Sequence, residues 1–283
     1  MSQKHNFMLV FLTIMLTCVT LLAIKVVIDN DTGKLTALMG FSALPRAVEE
    51  GVAGIWDLTA GDEPSETAGE AKDKETKVKA LTAKEVLLDA PAVSQMPELY
   101  NGCEVTSLSM LFQYNGIQLD KLELADRIVK DPAPVVKNAN GVVVSWGNPQ
   151  KGFVGDIRGY RMGFGVYHKP ILKLVEDIKP GRGVNLTGKP FDELLLQVEQ
   201  GRPVLVWTTT SLKPLADSSW ITWKSAEGPV RTTWNEHVVL LVGYDADYFY
   251  VNDPMDGAKS KKVARDPFIK TWEQMGKQAL TMK

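Results

Sequence analysis

Cys103 is the side chain with the most chemistry to offer. The chain holds two cysteines, and the other, Cys18, sits inside a continuous uncharged apolar run. Beyond that run the thiol has nothing to pair with, and in an oxidising compartment it stays free to react. Asn101 and Glu104 have the N-cap and third-residue spacing of a capping box, which predicts Cys103 in the first turn of a helix. Backbone N–H groups and the helix dipole favour a thiolate there. A free cysteine is equally at home as a small buried apolar residue, so a catalytic reading needs a base.

Beyond residue 80 there are two histidines, His168 and His237. His168 precedes Lys169-Pro170 and reads as a surface cap at a helix start. His237 lies 134 residues after Cys103, inside the interval of roughly 130–150 residues that separates thiol and imidazole in papain-type sites. It opens an apolar strand, HVVLLVGYD, and Asp253 ends the next, DYFYVNDP. Each stands eight residues from Asp245, so a hairpin folded about Asp245-Ala246-Asp247 sets them nearly opposite, in reach of a hydrogen bond that fixes the imidazole tautomer. Successive strand residues face opposite sides, so Asn252 and Asp253 cannot both face His237. This pairing selects Asp253, and a loop one residue longer or shorter would select Asn252. A satisfied edge-strand histidine and a turn aspartate before Pro254 are the bland alternatives.

The elements that must position these groups follow from periodicity. Val86 to Val93 reads as extended. Helices are expected over Cys103–Tyr114, where Val105, Leu108, Leu111 and Phe112 share a face before Asn115-Gly116, and over Leu119–Val129, Pro170–Ile178 and Phe191–Gln200. Strands follow at Pro203–Thr208, His237–Tyr244 and Tyr248–Asn252. Helices first and an antiparallel sheet later define an α+β fold. Trp207, Trp220, Trp223 and Trp234 suit core packing better than a substrate groove. The glycine-rich run Gly152-Phe-Val-Gly-Asp156, with Gly159, Gly163 and Gly165, fits plain connections better than a cleft wall.

Gln95-Met-Pro-Glu-Leu-Tyr-Asn-Gly-Cys103-Glu-Val-Thr-Ser, Gly147-Asn-Pro, Gly152-Phe-Val-Gly-Asp156, Gly201-Arg-Pro-Val, His237-Val-Val-Leu-Leu-Val-Gly-Tyr-Asp and Val251-Asn-Asp-Pro254 together resemble the C-39-like peptidases. These are bacterial papain-like cysteine peptidases related to bacteriocin leader peptidase domains. The resemblance spans about Leu87 to Pro254. It implies a papain-like fold, with N-terminal helices packed on a C-terminal antiparallel sheet. Cys103 would be the nucleophile, His237 the general base, Asp253 the orienting acid and Gln95 an oxyanion-hole donor, a role that suits a side-chain amide beside the Cys103 backbone N–H. Glu236, directly before His237, departs from the small or amide residue expected there. The single apolar span also departs from the membrane bundle of an exporter, so the leader-peptide substrate does not carry over.

A net charge of -2 with 23% charged residues gives no cationic face for nucleic acid. No CxxC or clustered Cys/His spacing marks a structural zinc site, and no cofactor is expected. Gly183-Val-Asn-Leu-Thr-Gly188-Lys189-Pro190 imitates a phosphate loop but lacks the Ser/Thr hydroxyl for magnesium, so nucleotide binding is not expected. Phe7 to Ile24 is an uncharged run of 18 residues between Lys4 and Lys25, about 27 Å as a helix, and no Ala-x-Ala follows. It reads as an uncleaved membrane anchor, a cleaved signal being the alternative. Gly33 to Trp56 suits either an amphipathic surface helix or a disordered segment. Asp57 to Ala80, dense in both charges and poor in large apolar residues, reads as a solvated tether. The expected organisation is therefore an anchor over 1–30, a juxtamembrane segment and charged linker over 31–80, and a peptidase domain over 81–283. The sum is a membrane-anchored, extracytoplasmic thiol peptidase acting on a peptide or amide bond through Cys103, His237 and Asp253. The alternatives are a non-catalytic peptide or cell-wall binding module and a cell-wall amidase or endopeptidase.

Overall fold

The computed structural model describes residues 81–283. The expected anchor, the amphipathic stretch and the charged tether lie outside the described residues, and among those described no helix is long and apolar enough to cross a membrane.

The chain runs β1 (Val86–Leu87), α1 (Cys103–Tyr114), α2 (Lys121–Arg127), β2 (Lys130–Asp131), β3 (Val136–Lys137), β4 (Val143–Ser145), β5 (Phe153–Gly155) and β6 (Gly163–Gly165). It continues through α3 (His168–Ile178), β7 (Gly183–Asn185), α4 (Phe191–Glu199), β8 (Val204–Thr209), β9 (Ile221–Ser225) and β10 (Gly228–Thr232). Last come β11 (Glu236–Tyr244), β12 (Tyr248–Asp253), β13 (Ala258–Ala264), α5 (Arg265–Gln274) and β14 (Ala279–Met282). The principal sheet is antiparallel in the order β13-β12-β11-β8-β14-β7, with β1 also paired to β11. Two small sheets, β10-β9-β4-β3 and β2-β5-β6, complete the domain.

Every residue of β8 and β11 is buried, because the principal sheet is covered on both faces. Val238, Leu240 and Val242 of β11, with Leu205 and Trp207 of β8, pack against Cys103, Leu108 and Leu111 of α1. The intervening Val239 and Leu241, with Val204 and Val206, pack against Leu194, Leu195 and Val198 of α4 and Phe268 and Trp272 of α5. The two-residue period of the strands thus sorts their side chains into two apolar layers, and each fully buried Val or Leu contributes on the order of 1.5–3 kcal/mol. All residues from Cys103 to Phe112 are buried. Helix α1 is accordingly apolar around most of its circumference rather than along one stripe.

The α+β class and the helix-on-sheet packing match expectation, but the chain order is more mixed. After the β11–β12 hairpin, β13 extends the sheet, α5 crosses its far face and β14 returns between β8 and β7. The helix expected over Leu119–Val129 is shorter. Asp120 caps it through the Glu123 N–H, and Ile128 leaves the helical region. The extended stretch after Val86 pairs only at Val86 and Leu87. Gly183–Asn185, inside the phosphate-loop imitation, is an edge strand.

Candidate active site

Cys103 is the first residue of α1, as its sequence position requires, but the expected capping box does not form. Gly102 is the N-cap and makes no side-chain bond. The Asn101 side chain donates instead to the Asp156 carbonyl at 2.7 Å, and the Glu104 carboxylate accepts from the Val166 N–H at 2.6 Å. Val166, the residue after β6, thus draws Glu104 away from the helix end. Glycine is required at 102, since a Cβ would stand 2.6 Å from that of Leu99. One turn on, Ser107 donates to the Val238 carbonyl at 3.1 Å. Cys103 and Ser107 share one helical face, and the Val238 N–H also points to the Cys103 sulfur. The thiol therefore lies against the backbone of the residue that follows His237.

His237 and Asp253 do meet, with Nε2 and Oδ1 2.8 Å apart and both side chains almost fully buried. The hairpin reaches this contact by another register. Leu240 pairs with Asn252 and Leu241 with Val251, and a bulge follows before Gly243. Extended along the strands, that register sets Asp253 level with Val239, two residues from His237, rather than opposite it. A shift of two leaves each side chain on its expected face, so the contact forms diagonally. Asn252 faces the other way, donating to the carbonyls of Ala90 and Pro91 and accepting from the Ser260 N–H.

Asp253 is fully engaged. Oδ1 also accepts from the Met255 N–H at 3.0 Å, and Oδ2 from Lys261 Nζ at 2.7 Å. Burial pushes its carboxyl up, but the His237 hydrogen bond and charge, with Lys261 and the Met255 amide, outweigh that and hold it far below the usual carboxylate range. An ionised Asp253 accepts only, so the proton of the contact is on His237 Nε2. In the neutral ring this leaves Nδ1 as the basic nitrogen. Nδ1 is buried and has no hydrogen-bond partner among the described residues.

The surroundings of Cys103 correct the expectation of a ready thiolate. Its Sγ donates to Glu104 Oε2 at 3.5 Å. Burial, then the charges of Glu104 and Glu236, push the thiol well above its ordinary range, against the Val238 N–H. Glu236 lies on the Cys103 side of β11, so it faces the thiol and Glu104 rather than the imidazole. Burial pushes Glu104 up to about 7. Burial and the neighbouring Glu104 raise Glu236 well above the carboxylate range. Gly165 gives both acids room, since a Cβ there would stand 2.5 Å from Glu104 Oε1 and 3.0 Å from Glu236 Oε2. Sequence reading missed Glu104 as a site member. The available signal was its place beside Cys103, together with an acid at 236 where a smaller residue was expected.

Gln95 is buried next to the Asp253-Pro254 end, where its N–H bonds the Pro254 carbonyl at 2.7 Å. Its side-chain Nε2 donates to the Tyr100 carbonyl at 2.9 Å, which leaves one amide N–H for an oxyanion. His168 is not a surface cap. It is buried, with Nδ1 2.8 Å from Gln278 Oε1, and Tyr167 is the N-cap. Trp207 and Trp223 are core residues, whereas Trp234 is about half exposed and stacks near Trp146, Phe164 and Trp223. Of the glycine run, Gly155 borders a pocket. Gly155, Asp156, Tyr160, Arg161 and Met162 line an open pocket of about 450 Å³ with Pro134, Val135 and Trp146. This wall is tied to Asn101 through Asp156 and Ile157, two residues before the thiol.

A solved C39-like peptidase from Bacillus anthracis is similar in structure, with a TM-score of 0.65 and 41% identity, covering 71% of this chain and 98% of the other. The uncharacterized protein YvpB of Bacillus subtilis is 39% identical over 198 residues, 69% of this chain and 75% of the relative. Residues 87–280 match the Peptidase_C39-like family. That match takes in α1, most of the principal sheet and all of Gln95, Cys103, His237 and Asp253, and the chain belongs to that family.

Proposed function

We propose that the chain is an extracytoplasmic thiol peptidase of papain type. The observation that carries this reading is the buried His237–Asp253 pair, whose Nδ1 has no hydrogen-bond partner among the described residues, next along β11 to the Val238 backbone against which the Cys103 thiol lies. Cys103 Sγ attacks a peptide carbonyl while His237 Nδ1 takes the thiol proton. The same nitrogen then delivers it to the departing amine, which leaves an acyl thioester on Cys103. Water, deprotonated by His237, cleaves the thioester and restores the thiol. Asp253 holds the ring in the tautomer with Nε2–H and stabilises the imidazolium. The second N–H of Gln95 and the Cys103 N–H, unsatisfied within a helix at its first position, face the developing oxyanion. The thiol starts bonded to Glu104, so substrate binding must turn it toward Nδ1. Catalytic hydrogen bonds commonly tighten only in the bound complex. The cavity beside Asp156 offers apolar walls for a substrate side chain. The apolar run Phe7–Ile24 anchors the protein with this domain outside the membrane, which retention in the membrane fraction after alkaline carbonate washing would test.

The raised thiol favours a second reading, a non-catalytic module that holds peptides or wall polymers in the same cleft. Incubating the full-length protein with a mixed peptide library, followed by mass spectrometry, decides between them. The peptidase reading expects new termini at defined positions that vanish in Cys103→Ala. Binding without new termini would leave the module reading. A wall amidase or endopeptidase would act on purified cell wall and not on the library.

A further inference from the structure

The proposed reaction gives no work to Glu104 and Glu236, yet two buried acids beside a buried thiol make a costly arrangement. Cys103 Sγ and one carboxylate oxygen from each acid lie within 4.8 Å of one another. Each group, once ionised, opposes ionisation of the others. Glu236 Oε1 is buried with no hydrogen-bond partner among the described residues, on a side chain only 8% exposed. Gly165 keeps the space over both carboxylates clear of a side chain.

We propose that Cys103, Glu104 and Glu236 bind a thiophilic divalent cation of the zinc type. One sulfur and two carboxylate oxygens suit a borderline-soft ion and disfavour magnesium or calcium, which take oxygen ligands. In a tetrahedral site with ligand bonds of about 2.0–2.3 Å the donors stand roughly 3.6 Å apart, so the three groups close by about 1 Å to hold the ion. Water takes the fourth position. Binding releases the thiol proton, and any proton on the acids, to solvent. The cation then reverses the local electrostatics, because three mutually repelling anions become a compensated set. A metal-bound thiolate has its lone pair committed to the ion, so the cation-loaded protein is a latent form in which Cys103 cannot attack. The site does not depend on the peptidase reading, since it uses neither His237 nor a substrate.

Cd²⁺ titration of the full-length protein tests this, with the cadmium–thiolate charge-transfer band as readout. The wild type should give the band at one equivalent and release protons as it forms. E236Q and E104Q should each weaken binding at least tenfold, and H237A should leave it unchanged. E236Q replaces a buried acid that has one unpartnered oxygen by an amide of the same shape and is expected to unfold cooperatively, like the wild type. Iodoacetamide labelling of wild-type Cys103 should slow at least tenfold in Zn²⁺ and recover with EDTA. Three results would overturn the proposal: absence of the band, a band indifferent to E236Q, or a band lost in H237A. The last would place the ion between thiol and imidazole instead. Loss of peptide cleavage alone would bear on the peptidase reading and not on the site.

Discussion

Glu236 and His237 are neighbours on one strand, and their surroundings are opposites. His237 meets an aspartate whose oxygens are held by an imidazole, a backbone N–H and a lysine. Glu236 meets a second acid and a thiol, and one of its oxygens has no partner. One side of β11 therefore holds a saturated aspartate that fixes the imidazole and leaves its Nδ1 free, and the other a cluster of acids and a thiol that oppose one another's ionisation. Placing a base requires only that its orienting partner be saturated. Arming a nucleophile requires that something relieve the acids around it.

The sharpest break in this comparison comes from the His237 side. Asp253→Ala should lower turnover of a cleaved peptide by two or more orders of magnitude, the rough scale of losing a histidine-orienting group. Asn252→Ala should cost far less turnover but destabilise the domain by about 1–3 kcal/mol, since its amide joins Ala90 and Pro91 to Ser260. Steady-state kinetics and urea melts on both variants check the ranking, and the reverse order would give the orienting role to Asn252. Next is Gln95→Ala, expected to reduce kcat by about 10²-fold with little change in KM if its free N–H meets the oxyanion. A change in KM alone would make Gln95 a scaffold residue.

Effects on the Glu236 side run in the opposite sense. Without added metal, and at a pH high enough to ionise Glu236, Glu236→Gln removes one of the charges that raise the thiol, so iodoacetamide labelling of Cys103 should speed up there. A slower rate would contradict the arrangement of charges. The smallest effect is on stability. The folded state binds the Glu104 proton more tightly than the unfolded chain does, with a value of about 7 against an ordinary 4.5. Its contribution is full below about 4.5 and is lost as pH rises through about 7, a difference on the order of 1–3 kcal/mol. Asp253 acts in reverse, contributing above its ordinary value of 3.8 and losing that contribution as pH falls further. Glu104→Gln should flatten the decline in urea midpoint between pH 4.5 and 7 and leave the acid limb in place.

The His237 side was largely legible in the sequence. Strand alternation and a short hairpin placed His237 and Asp253 on one face, and the two-residue error in register did no harm because it was even. Helix α1 was legible from its apolar spacing and its Asn-Gly stop. The Glu236 side was not, because Glu104 has capping-box spacing and only Val166, just past β6 and 62 residues later, turns its carboxyl from the helix end. His168 was misread for the same reason, since its partner Gln278 lies 110 residues away. The return of β14 into the sheet likewise depends on contacts that no local pattern encodes.

The central claim is that Cys103 attacks a carbonyl with His237 as its base. Acylation by an activated peptide ester, followed by mass spectrometry of the intact metal-free protein, tests it most directly. The account predicts one acyl group on Cys103, absent in Cys103→Ser and formed at least a hundredfold more slowly in His237→Ala. Acylation at the same rate without His237, or none on a folded wild-type protein, would contradict it.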